Sequence, residues 1–440
     1  MPNKPPFKYF LSNTKNSVQK NSEIWSIPLP TKRKQPQKAA GISVTYGDYF
    51  SAVRSFLEQN RFEILISAFS KSINQHIVPE EIEEIRIFLE KHGEFYHPAR
   101  VETSLSGLNL KFVLNVAVSD SGKSYINKEY DALKRLNSDF AFSFVPHVYG
   151  VGKACVKGRE HEIIMFLGEW FDGYNEFHIS YDNAEKQNKI EVWDPDQGHY
   201  FLSSDNTMEL YRQAAMILTC YYNIETFEQI FPWHHAAGDF IIRLQNNKAE
   251  PQKRAHSPQL AAGLASESEN SKLPYGRCEA LPSGRTFSAA CCGELQLKLI
   301  TVRQYAPMFA KKEGDEDTGR DAGMILEALL VFLLNLSIKM RLDRIDGVGD
   351  IVWSDDIAVQ GTLKGFFQGL NRKDSTGLFS DSFGAYFHDY LLSSCTEKDF
   401  YDLSLAIVNS YNPLAPEIPV IRQNIRKHAE VLYNAITRQL

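Results

Sequence analysis

The segment FPWHHAAGDFIIR, residues 231–243, crowds two histidines, two alanines, a glycine and an acid into positions 234–239. Small residues in this arrangement suit a backbone brought close to another group, and they present Asp239 at the mouth of the strand that follows. His234 and His235 have the chemistry to ligate a metal. However, neighbouring residues on a turn or strand point apart, and no cysteine or third histidine stands at ligand spacing, so a structural or hydrogen-bonding role is the reading for each. Asp239 stays open between a functional role and closing a turn after Gly238. A second group of acids, Asp343, Asp346 and Asp350 in RLDRIDGVGDIVW with Asp355 and Asp356 beyond, is of the type that gathers round a hard cation. The EF-hand spacing is absent there, and Gly347 and Gly349 mark a turn. DPDQG at 194–198 likewise reads as a hairpin turn. No G-x-S-x-G, H-E-x-x-H, G-x-x-x-x-G-K-[ST] or G-x-G-x-x-G occurs, which removes the usual support for hydrolase, zincin, P-loop and Rossmann classes.

These residues need elements to position them, and the composition permits a substantial core. Of 440 residues, 43% are hydrophobic and 23% charged, which suits two to three structural units or two lobes sharing a cleft. The net charge of −6 argues against nucleic acid or an anionic membrane surface as a partner. Six cysteines, none in a C-x-x-C pair, speak against a disulfide framework or zinc ribbon and for a reducing compartment. The N-terminus lacks an apolar signal core, and Met324–Met340 carries Glu327, Asn335 and Ser337. The latter reads as a buried core helix, the protein as cytoplasmic.

Residues 1–40, with TKRKQPQK at 31–38, read as a flexible basic arm. Residues 41–98 read as a helical segment with three apolar stripes: Phe50, Val53 and Leu57; Phe62, Ile64, Leu65 and Phe69; Ile82, Ile85, Ile87 and Phe88. From Val101 the pattern becomes strand-like: VETSL, the turn SGLN, then LKFVLNVAVS, followed by the helix NKEYDALKRL and the strands VPHVYGVG and EIIMFLGEW. KIEVWDPDQGHYFL reads as a hairpin and TMELYRQAAMILTCYYN as a long helix, with further helices at 321–342, 382–393, 397–411 and 421–439. Residues 249–293, rich in Ala, Ser, Gly and Pro, read as a disordered insertion between the strands IIRL and LQLKLI.

In this order the elements resemble the protein-kinase-like fold, in particular its aminoglycoside and choline phosphotransferase branch, over roughly residues 99–440. The resemblance implies an α+β, two-lobed architecture, with a small antiparallel sheet lobe at 99–172 and a larger, mainly helical lobe at 173–440. It assigns Glu129 as the helix glutamate that pairs with a strand lysine, but the lysine position falls on Asn115, or on Ser119 in an alternative register, with Lys111 the nearest lysine upstream. EIIMFLGEWFDGYNEFH resembles the last strand and hinge where adenine would bond to backbone, with Glu169 and Trp170 at the turn. HHAAGDFII resembles the catalytic loop; Asp239 stands in the metal-binding asparagine's place, and His234 replaces the catalytic aspartate. A histidine can serve as a base and an aspartate can hold Mg²⁺. KLITVRQYAP resembles the strand that ends in D-F-G, with Thr301 in the acid's place and Arg303 after it.

The cofactors implied are ATP and Mg²⁺, yet lysine, base and metal acid are all replaced, and phosphoryl transfer depends on those groups. The expectation is a pseudokinase-like protein that binds a nucleotide or an unknown protein or small-molecule partner. The alternative is a divergent Mg²⁺-dependent phosphotransferase acting on a small molecule or protein, with its phosphate contacts moved to Arg303, Lys298 and Asp239. Either way, Asn115, Glu129, Glu169, His234, His235, Asp239, Thr301 and Arg303 should line one cleft.

Overall fold

The computed structural model describes residues 4–12, 16–20, 22–30, 43–93, 95–156, 161–195, 197–234, 238–244, 295–308, 322–373 and 382–439. The fold is α+β. Its first part runs β1 (Phe7–Leu11), α1 (Glu23–Ser26), α2 (Tyr46–Leu57), α3 (Glu63–Ile73), β2 (Ile82–Leu89), β3 (Ala99–Leu105), β4 (Leu108–Ala117), α4 (Asp120–Asp139), β5 (Val148–Cys155) and β6 (Glu162–Glu169). The six strands make one sheet in the order β1-β2-β3-β4-β6-β5, antiparallel except where β1 lies parallel to β2.

Two sequence expectations need correction here. The stretch read as a third helix is β2: Ile85, Ile87 and Leu89 are buried at every second position, and the β-branched isoleucines favour the pleated surface. The residues read as a flexible arm include β1, in which Tyr9 is buried against Phe50 and Trp25. The short apolar run FKYFL was averaged away in a composition otherwise polar. The basic run at 31–38 lies outside the described residues.

Both faces of the sheet are covered. Tyr49, Phe50, Val53 and Phe56 of α2 and Leu65 and Phe69 of α3 pack with Ile85, Ile87, Val101, Phe112, Leu114 and Met165 in one core. Ile126, Leu133 and Leu136 of α4 join Ala117 and Phe166 in a second core, built mostly from the rest of the chain.

That remainder begins with a three-stranded antiparallel sheet, β7 (Glu176–Asp182), β8 (Gln187–Asp194) and β9 (Gly198–Phe201), and the long α5 (Ser204–Cys220). Short strands follow: β10 (Glu228–Ile230), β11 (Phe240–Leu244), β12 (Leu295–Leu299) and β13 (Tyr305–Pro307), with β11 antiparallel to β12 and β10 to β13. The β11–β12 pair is the hairpin expected around the insertion; residues 249–293 themselves lie outside the described residues. Then come α6 (Ala322–Met340), the hairpin β14 (Leu342–Arg344) and β15 (Ile351–Trp353), and α7 (Asp356–Asn371), α8 (Phe383–Ser394), α9 (Glu397–Ser410) and α10 (Ile418–Gln439). The apolar α6 is a core helix as expected, with Glu327 exposed and two polar residues bonded inside: Asn335 accepts from Tyr411 at 2.5 Å, and Ser337 lies 3.1 Å from His428.

The sequence reading did not single out α7, because Gly361, Gly365 and Gly369 depress helix propensity. Packing overrides propensity here. The three glycines make one stripe against α5, where an added Cβ at Gly361 or Gly369 would sit 2.6 Å from Tyr211 or Thr219, and one at Gly365 would strike the carbonyl of Arg212. Gly365→Ala is therefore expected to lower stability by about 1–3 kcal/mol through overpacking, despite the better helix propensity of alanine. Denaturant unfolding of this variant beside Lys364→Ala, which should be near neutral, checks the claim.

Candidate functional site

Two elements from distant stretches meet below the sheet. The first is α4, whose N-cap Ser119 accepts from the Gly122 amide at 3.1 Å. Its buried stripe Ile126, Glu129, Leu133 and Leu136 follows the helical period, so Glu129 stands in an apolar row. Glu129 is 2% exposed; its Oε1 accepts from the Val302 amide at 3.2 Å, while Oε2 has no hydrogen-bond partner. The Tyr96 phenol faces the carboxyl but lies outside bonding geometry to Oε2. Burial pushes the Glu129 carboxyl up to about 7, against the lowering pull of Tyr96, Arg303 and the Val302 amide.

The second element is the loop into β11. Gly238 takes a φ of +82°, a conformation other residues avoid, and delivers Asp239 to the strand mouth. The Asp239 carbonyl accepts from the Ile300 amide at 2.8 Å, which docks the loop on the chain entering residues 301–303. Its carboxylate, 1% exposed, is held on both oxygens: Arg303 donates NH1 to Oδ2 and NH2 to Oδ1, each at 2.7 Å, and the His234 amide donates to Oδ2 at 2.9 Å. Burial alone would raise the Asp239 pKa, but His234 and Arg303 outweigh it and the carboxyl ends below its ordinary range. The same pairing raises Arg303 above its ordinary value against the lowering effect of burial.

Glu129, His234, Asp239 and Arg303 are thus brought together. His234 keeps an exposed side chain with Nδ1 3.7 Å from Asp239 Oδ2, and His235 lies outside the described residues. Thr301 is half-buried beside them. Asn115 sits on β4 opposite Phe166, on the face turned away from the α2–α3 core. Glu169 and Trp170 take their bonds elsewhere: Glu169 clasps His147 through both backbone and side chain, and Trp170 lies against Arg100 at 5.6 Å. Lys111 is tied to Asp172 at 2.6 Å, and Lys298 donates to the Ser143 carbonyl.

The donor set does not fit the expected Mg²⁺. Both Asp239 oxygens are already engaged by a guanidinium, Thr301 offers no carboxylate, and the described residues hold no group of three or more His, Cys, Asp or Glu arranged around a cation. Three of the acids at 343–356 make bonds within the fold: Asp346 accepts from Ser180 at 2.6 Å, Asp355 caps α7, and Asp356 pairs with Arg341. Asp343 is buried, its carboxyl pushed up to about 7 chiefly by that burial, with His234 within electrostatic reach.

Sequence reasoning missed Tyr96 and Lys91. They lie in KHGEFYHP between β2 and β3, a Gly- and aromatic-containing connection that goes unnoticed once β2 is read as a helix. Neither a family model nor a curated protein matches the chain.

Arg303→Met strands a buried carboxylate, so a loss of about 3–5 kcal/mol is expected in denaturant unfolding, while Arg303→Met with Asp239→Leu should recover much of it. Additive losses in that cycle would refute the pair as the stabilising unit. Glu129 makes a pH prediction. Its folded pKa lies above the ordinary 4.5, so its contribution is full below pH 4.5 and is lost as pH rises toward 7, on the order of 3 kcal/mol. Glu129→Gln keeps the acceptor for Val302 but cannot ionise. Its stability should fall less than that of the wild type between pH 5 and pH 8.

Proposed function

We propose that the chain has a two-lobed, protein-kinase-like architecture whose phosphotransfer motifs have degenerated, and that it works as a pseudokinase-like protein binding a nucleotide or a partner. The element order supports the architecture: β2 to β6 form an antiparallel sheet with α4 inserted between β4 and β5, and α5 then leads to the β11–β12 hairpin. The observation that carries the functional reading is the Asp239–Arg303 pair. In a phosphotransferase the carboxylates at this place wait for a metal and a lysine waits for phosphate; here the acid is neutralised by the chain's own arginine. Glu129 likewise bonds the Val302 amide where a strand lysine would be its partner, and the aligned strand position is the neutral Asn115. A cytoplasmic site of action accords with the free thiols of Cys155, Cys220 and Cys395.

Thermal shift with ATP, with and without Mg²⁺, tests this in the wild type and in Asp239→Asn. Any stabilisation by ATP is expected to be the same with and without the metal, with no phosphate transferred to added protein or small-molecule acceptors. A Mg²⁺-dependent shift that disappears in Asp239→Asn would instead support the divergent phosphotransferase.

A further inference from the structure

We propose that the turn between β14 and β15 is a pH-sensitive latch, closed over His178 of β7 while the imidazole is neutral and lifted when the ring takes up a proton. The latch does not depend on what the Asp239–Arg303 site binds.

Along β7, Phe177 and Ile179 enter the second core, so the alternation of the strand turns His178 and Ser180 to the opposite face. The β14–β15 turn is seated on that face. The Asp346 amide donates to the Ile179 carbonyl at 2.8 Å, the Ser180 hydroxyl donates to the Asp346 carboxylate at 2.6 Å, and Ile345 forms a parallel bridge with Ile179. Asp346 and Gly347 take φ values of +50° and +72°, a left-handed pair that lays the Gly347 backbone on the imidazole, where a Cβ would sit 2.6 Å from His178 Nδ1. The Trp193 ring of β8 lies 4.2 Å from the same imidazole. Between these contacts His178 is 6% exposed, with no hydrogen-bond partner for either ring nitrogen.

Only the neutral ring suits this seat. An imidazolium would bury two N–H donors and a charge without an acceptor, and the charged groups around it are bonded elsewhere or face water. Glu191, its cross-strand partner on β8, accepts from the Trp193 indole at 3.2 Å, and Glu176 on β7 pairs with Lys91 from the β2–β3 connection. Within the hairpin, Asp343 accepts from the Arg344 amide, Asp346 is held by Ser180, Asp350 is exposed, and the Arg344 guanidinium donates to the Gly349 carbonyl and to Glu417. His199 lies beyond, stacked on Trp193 at 5.5 Å. Burial accordingly holds the imidazole below its ordinary 6.5. Lifting the turn hydrates the ring and frees the Ile179 carbonyl and Ser180 at the edge of β7. Closure is at full strength above pH 6.5 and weakens as pH falls, because the open form binds the extra proton. From pH 7.5 to pH 5.5 the open population rises about five- to tenfold.

Hydrogen exchange at the Asp346 amide of the full chain, measured at pH 7.5 and pH 5.5, reads the latch directly. Expressed as a protection factor, the rate is freed of the intrinsic pH dependence of exchange. In the wild type the factor is expected to fall about five- to tenfold at the lower pH. In His178→Phe, which keeps a neutral ring, and in His178→Gln, which cannot titrate, it should be the same at both. The two variants disturb the seat differently, one in bulk and one in polarity, so the comparison survives a folding defect in either. An unchanged factor in the wild type would overturn the latch. A fall of equal size in the variants would overturn it too, by assigning the titration to His199 or to the acids at 191 and 346.

Discussion

The buried pairing of Asp239 with Arg303 is the contact on which the rest of this site depends. A carboxylate at 1% exposure cannot stay ionised without a counter-charge, and the desolvation of both groups is offset only when the geometry is close to ideal. Two parallel bonds at 2.7 Å meet that condition, with the His234 amide as a third donor. Once the pair forms, the loop carrying Asp239 and the segment carrying Arg303 are held together, and the Ile300 amide and Asp239 carbonyl close the same junction through the backbone. Residue 302 is then presented to Glu129, so α4 is anchored by a contact that exists only because the ion pair has set the chain beside it.

This sequence of dependence explains why Glu129 can sit in an apolar stripe. Its neighbours along α4 are Ile126, Leu133 and Leu136, and a carboxyl there costs stability whenever it ionises. One oxygen is satisfied by a backbone amide and the other has nothing, so the group resists losing its proton. The helix therefore keeps a protonatable acid in its apolar stripe.

Much of the architecture was legible because its elements carry strong periodic signals. The strands β3 to β6, the helices α4 and α5 and the β11–β12 hairpin all follow from alternation, helical stripes and turn residues. What was lost shares one cause, the dominance of tertiary contacts over local pattern. The spacing of Ile82, Ile85 and Phe88 fits a helix, whereas the burial of Ile85, Ile87 and Leu89 follows the two-residue period of a strand; FKYFL is too short to register in a polar leader, and α7 contains glycines that only its packing on α5 explains. The site was legible in its members Glu129, His234, Asp239 and Arg303 but not in their bonding. Nothing in KLITVRQYAP says that Arg303 turns toward Asp239 rather than toward a ligand. Glu169 and Trp170 share a residue pattern with a hinge, but their side chains serve His147 and Arg100.

A cleft that catalyses phosphoryl transfer holds its charges apart, unpaired and preorganised, until substrate and metal complete them. Such a site is electrostatically strained when empty, and the surrounding fold must tolerate that strain. In this protein the polar groups of the same region complete one another. Arg303 satisfies Asp239 and the Val302 amide satisfies one oxygen of Glu129, while outside this region Lys111 and Lys298 bond to Asp172 and Ser143. The region thereby ties α4, β11 and the segment after β12 together within the second hydrophobic core. Charges that are already paired in this way stabilise the fold, and the guanidinium and carboxylate that hold each other are not set apart as phosphoryl transfer requires.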